Sequence, residues 1–142
     1  MNADKREGDA ATPAGSFLLR ACYYRPDRVT PPATALPLLA LQPDDGWCDD
    51  PTHPLYNKPV KLPFAASHEI LWREDHCYDL IIPLSYNDDP AISGKGSAIF
   101  LHLMHDDGSP TAGCVALRKH DLLALLPKLS PSTTLVIPAG FH

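Results

Sequence analysis

The chain has 142 residues, 44% of them hydrophobic and 20% charged, a balance that suits one soluble domain with its own core. A formal net charge of −5 supplies no cationic surface for a phosphate backbone and argues against nucleic acid as a partner. No apolar run approaches the roughly 20 residues of a membrane-spanning helix, and sixteen prolines break the chain into segments too short for long helices.

Residues 1–15 are polar, with Thr12-Pro13-Ala14-Gly15 reading as a turn. The opening MNADKREGDA has none of the apolar character of a secretory signal. Residues 16–24, SFLLRACYY, predict a strand, and 25–32, with three prolines and two arginines, a loop. A short strand at 36–41 carries Pro37, which sends it to an edge or a bulge. Residues 42–57 lack periodicity and predict a long irregular loop, a length usually tied to function or pinned in place. Trp47 and Asn57 in it read either as a wall of a substrate groove or as structural residues, Trp47 plugging the core.

Residues 67–73, SHEILWR, predict a short helix capped by Ser67 with Glu69 in its first turn. Residues 78–84 form an apolar β-rich run interrupted by Pro83, and 87–95 a turn region. The run at 97–105 lacks alternation, which predicts a central strand buried on both faces. A polar stretch at 105–110 reverses the chain, and 115–117 is a short strand. Residues 119–129 place Leu122, Leu123, Leu125 and Leu126 near helical spacing, with His120 or Asp121 in the first turn and Pro127 as the stop. A closing strand follows at 133–138. The sum is one mainly β domain over 1–142 with one or two short helices, most simply a sandwich or a barrel-like pair of sheets.

Chemistry concentrates between Ser97 and Leu117. His102 interrupts the apolar strand, and burying an imidazole unpaired costs on the order of 1–3 kcal/mol, so it needs a partner. It is either a core histidine satisfied by a carbonyl or a working base. Twelve residues later Cys114 follows Gly113, a residue that lets the backbone approach a substrate closely. A thiol of ordinary pKa about 8.5 becomes a nucleophile near neutrality when an imidazole takes its proton. Cys114 is therefore the candidate nucleophile and His102 the candidate base. Backbone N–H groups at Ala112, Gly113 and Cys114 are candidate oxyanion donors. Thr111 either sets the turn or supports that loop by a hydrogen bond. His102, His105, Asp106 and Cys114 could suggest zinc, but positions three apart on a strand face opposite ways, so no metal and no organic cofactor is expected. His105 reads as a residue at the groove mouth, and Arg118 either meets a substrate carboxylate or simply faces solvent. Cys22, Cys48, Cys77 and Cys114 have no CxxC spacing. Two of the first three can pair in an oxidising compartment, or all four can be reduced.

His102 followed by Thr111-Ala112-Gly113-Cys114 resembles the active-site signature of the YkuD-like L,D-transpeptidases, a histidine and then Ser/Thr-His-Gly-Cys. Glu7-Gly8-Asp9 with residues 12–17 resembles that family's first strand and turn. Trp47-Cys48-Asp49-Asp50-Pro51 through Tyr56-Asn57, together with Tyr86-Asn87, resembles a compact subgroup that is almost only catalytic domain. Ala112 stands where the signature has a histidine, and Ala116 where an arginine is often found.

The resemblance implies a β-sandwich-like transpeptidase fold and a base oriented by the backbone carbonyl of Leu103. It implies a peptidoglycan stem peptide containing diaminopimelate as substrate, with Trp47, Asn57, Tyr86, His105 and Arg118 as candidate substrate contacts. The implied reaction is thioester formation on Cys114 and transfer to an acceptor amine, giving 3-3 or 1-3 cross-links. Alternatives are an L,D-carboxypeptidase or hydrolase using the same cysteine, a non-catalytic peptidoglycan-binding module, or a cytosolic thiol enzyme. The expected location is the periplasm, or the cytoplasm if the start of the chain is its natural one. A monomer is expected.

Overall fold

A computed structural model describes residues 13–88, 90–104 and 115–138. The apolar run at 16–24 forms two strands rather than one, β1 (Gly15–Leu18) and β2 (Cys22–Tyr24), which belong to different sheets. Between them Leu19 bridges Leu84, and the Arg20 N–H donates to the Pro83 carbonyl at 2.9 Å. Those bonds carry the chain across from one layer to the next. β3 (Leu38–Ala40) lies at a sheet edge, as Pro37 requires, and the Pro37 carbonyl accepts from the Cys22 N–H at 2.8 Å.

Two expectations fail in the next stretch. β4 (Asp45–Cys48) lies inside the segment expected to be irregular, and β6 (His68–Ile70) replaces the expected helix. With β5 (Pro59–Lys61) they form a three-stranded antiparallel sheet, β4 in the middle. Gly46 pairs with Val60 and Ile70, Trp47 with Glu69, and Cys48 with His68. This long-range pairing takes up the backbone groups of residues 68–70 and overrides their local helical preference.

β7 (Leu80–Pro83), β8 (Phe100–Leu103) and β9 (Val115–Leu117) complete a five-stranded sheet in the order β3-β2-β7-β8-β9. β7 and β8 are antiparallel, whereas β8 and β9 are parallel. β8 and β9 are therefore not the two arms of a hairpin. The expected C-terminal helix is α1 (Lys119–Leu125), extended by a 3-10 turn (Leu126–Lys128) that contains Pro127. β10 (Thr134–Ile137) pairs antiparallel with β1.

Among the described residues the protein is mainly β, with ten strands in three sheets and one short helix. The inner strands β7 and β8 of the five-stranded sheet are buried on both faces. On one face Leu80, Ile82, Leu101 and Leu103 pack with Leu122 and Leu126 of the helical segment and with Phe17 and Ile137 of the β1-β10 pair. On the other, Ile81 and Phe100 pack with Trp47, Leu71 and Tyr78 beneath the three-stranded sheet. Every residue of β8 is buried, as its lack of polar–apolar alternation predicts.

Candidate active site

His102 is 2% exposed, in the middle of that doubly covered strand. Alternation along β8 directs Leu101 and Leu103 toward the helical core and places His102 on the same face as Phe100, under the three-stranded sheet. Its ring meets that of Tyr78 edge to face, centroids 5.2 Å apart and planes at 75°. Nδ1 lies 2.8 Å from the backbone carbonyl oxygen of Leu103. A carbonyl can only accept, so Nδ1 of the neutral ring carries the hydrogen and Nε2 holds the basic lone pair. The Leu103 peptide is held in turn: its N–H donates to the Cys77 carbonyl at 3.0 Å.

β9 brings the residues that follow Cys114 in the sequence alongside His102. Ala116 is the Cα partner of His102, and Val115 of Leu101. Cys114 itself, with His105, Asp106, Thr111, Ala112 and Gly113, lies outside the described residues.

The remaining candidates fall in several places. Trp47 is 7% exposed, stacks edge to face on Phe100 at 5.1 Å, and donates its indole N–H to Asn57 Oδ1 at 2.9 Å. Asn57 Oδ1 also accepts the Ala98 N–H at 3.0 Å, while Nδ2 donates to the carbonyls of Tyr86 (3.1 Å) and Asn87 (2.7 Å). Two donors and two lone pairs are thereby used, so this amide is a strut of the fold and keeps no polar capacity for a ligand. Both residues still line one cavity of about 220 Å³, with Arg20, Tyr23, Asp88 and Phe100 among its other walls. Tyr86 gives its hydroxyl to the Lys95 carbonyl (2.5 Å) and sets its ring against Phe17. Arg118 is exposed where β9 meets α1, its carbonyl accepting the Leu122 N–H at 3.0 Å.

Cys22, Cys48 and Cys77 are buried and unpaired with one another. Burial pushes the Cys22 thiol up to about 11. Among the described residues no group of three or more His, Cys, Asp and Glu is placed to hold a metal ion, and no helix is long and apolar enough to cross a membrane.

One neighbour of His102 escaped sequence reading. Tyr78 was read as the start of an apolar strand, yet its phenol donates to the Glu69 carboxylate and the Arg73 guanidinium lies 4.7 Å above its ring. The segment that carries it is pinned by two arginines of the preceding loop. Arg25 donates to the Arg73 carbonyl (2.6 Å), and Arg28 to the carbonyls of Asp75 (2.8 Å) and Glu74 (3.0 Å) and to Asp79 Oδ1 (2.9 Å). The available signal was the charged cluster from Arg73 to Asp79, set directly before a wholly buried strand.

A family model for the YkuD L,D-transpeptidase catalytic domain matches residues 3–137. No curated protein and no solved structure matches the chain.

Proposed function

The chain belongs to the YkuD L,D-transpeptidase catalytic-domain family, and from that premise we propose that it is a cysteine acyltransferase remodelling peptidoglycan cross-links. The observation that carries this reading is the state of His102. Its Nδ1–H is committed to Leu103, which leaves Nε2 basic, on a strand whose parallel neighbour begins one residue after Cys114.

In this reading Nε2 takes the thiol proton and the thiolate adds to a stem-peptide carbonyl at an L-centre. Sulfur forms the new bond while the carbonyl oxygen gains negative charge, held by N–H groups at Ala112, Gly113 and Cys114. The C–N bond then breaks, and the imidazolium returns its proton to the leaving amine. The amine of a second stem adds to the thioester, Nε2 takes its proton, and the thiolate departs and is reprotonated. The Leu103 carbonyl stabilises each transient imidazolium through the Nδ1–H. Attack at diaminopimelate gives a 3-3 link and attack at L-Ala a 1-3 link. Trp47, Tyr86, His105 and Arg118 are the proposed substrate contacts. Since peptidoglycan is the substrate, the periplasm is the proposed location.

Incubating the protein with purified sacculi and weighing the released muropeptides tests the reading. New L,D-linked dimers that disappear in Cys114→Ala support transfer. Shortened monomers alone would replace transfer by hydrolysis at the same cysteine, and unchanged muropeptides that still bind the protein would leave a wall-binding module.

A further inference from the structure

We propose that Tyr78 is a positioning residue for His102, a role that rests on His102 being the base. Two consecutive residues grip both partners of the hydrogen bond that sets the imidazole's tautomer. The Cys77 carbonyl holds the Leu103 N–H at 3.0 Å, fixing the peptide whose carbonyl receives Nδ1–H. The Tyr78 ring, 4% exposed, lies edge to face against the imidazole itself.

The gripping segment is itself anchored from three directions. Glu69 on β6 accepts the phenol hydrogen, so the three-stranded sheet holds the far end of the ring. Arg73, ion-paired with Asp75, covers the ring from above. Arg25 and Arg28 tie the backbone of residues 73–75 to the loop after β2. Any buried phenol needs a partner such as Glu69, but the Arg73 cover and the arginine ties to residues 73–75 go beyond that need. Here they stop the ring from sliding, and a fixed ring keeps the imidazole from turning about its Cβ–Cγ bond. The base then presents Nε2 in one direction, as proton transfer over hydrogen-bond distance requires.

The test uses the full chain with ¹⁵N-labelled histidine. Long-range ¹H–¹⁵N spectra report which nitrogen of His102 carries hydrogen, and iodoacetamide alkylation reports Cys114 reactivity. Wild type shows the single Nδ1–H tautomer. Tyr78→Phe, which keeps the ring, stays close to it in both readouts. Tyr78→Leu gives mixed tautomers and slows alkylation about 2- to 12-fold, the range expected for losing an aromatic pair. An unchanged tautomer in folded Tyr78→Leu overturns the proposal, as does Tyr78→Phe shifting as far as Tyr78→Leu. Should Tyr78→Leu not fold, Tyr78→Met, which removes the ring but keeps much of its volume, takes its place, and an unchanged tautomer there overturns the proposal equally. Equal alkylation of wild type and His102→Ala would sink the base assignment alone, since the tautomer comparison still decides whether Tyr78 orients the ring.

Discussion

Replacing Asn57 by alanine should be among the most damaging single changes in this protein, although the side chain is polar. The amide joins β4 to the segment that leads into β8. Its loss leaves the Trp47 indole N–H and the Ala98 N–H, both buried, without their acceptor, and takes one donor each from the Tyr86 and Asn87 carbonyls. An orphaned buried donor costs about 1–3 kcal/mol. The backbone adds to this: Asn57 has φ of 59°, a left-handed conformation that asparagine tolerates and alanine resists by roughly 1 kcal/mol. With two donors and the backbone counted, and partial rescue by entering water allowed, the loss should be about 3–5 kcal/mol. For a chain of this length that is a fall in Tm of roughly 10–15 °C. Reversible urea unfolding of wild type, Asn57→Ala and Asn57→Gly measures it, with glycine recovering only the backbone part of about 1 kcal/mol. A loss below 1 kcal/mol in Asn57→Ala would refute the strut.

Two further outcomes follow from burial and close contact. Cys22 holds its proton up to about 11 in the folded chain, against an ordinary value of 9.0. The unfolded state therefore ionises first, and stability should fall as pH rises from 9 to 11, by about 2–3 kcal/mol in all. Urea midpoints of wild type and Cys22→Ala across that window should converge, and parallel curves would contradict the shift. Gly46 sits in the middle strand of its sheet, where an added methyl would come within 2.9 Å of Leu62 Cδ2 and 3.2 Å of the Glu69 carbonyl oxygen. The leucine tip can move but the carbonyl belongs to a paired strand, so Gly46→Ala should cost about 1–3 kcal/mol in thermal or urea melts. A neutral result would mean that β6 yields.

The sequence pattern was most informative where burial is local and repeated. The non-alternating run around His102 is a strand covered on both faces, and the leucine spacing after Leu117 is α1 with its 3-10 extension, Leu122 and Leu126 fully buried. It misled where pairing partners are distant. Residues 45–48 look irregular because Asp45 and Gly46 dilute a four-residue strand that is defined by its neighbours β5 and β6. Residues 68–70 carry helix-like signals that the Trp47–Glu69 and Cys48–His68 pairings override. The break at Leu19 was hidden because both halves of SFLLRACYY are apolar, and only the bridge to Leu84 separates them. In the candidate site, the histidine was legible as an imidazole in an apolar strand. Tyr78 was not, because its contacts to His102 and Glu69 join residues 24 and 9 positions away that no short motif connects.

Intact-mass analysis of the folded protein after exposure to a carbapenem tests the central claim most directly. Acylation by the strained lactam needs the same thiolate and the same base as the proposed reaction. Cys22, Cys48 and Cys77 are buried, so a single adduct is expected. It should vanish in Cys114→Ala and form at least about 100-fold more slowly in His102→Ala. A folded sample that gains no mass, or an adduct that persists in Cys114→Ala, would contradict the account.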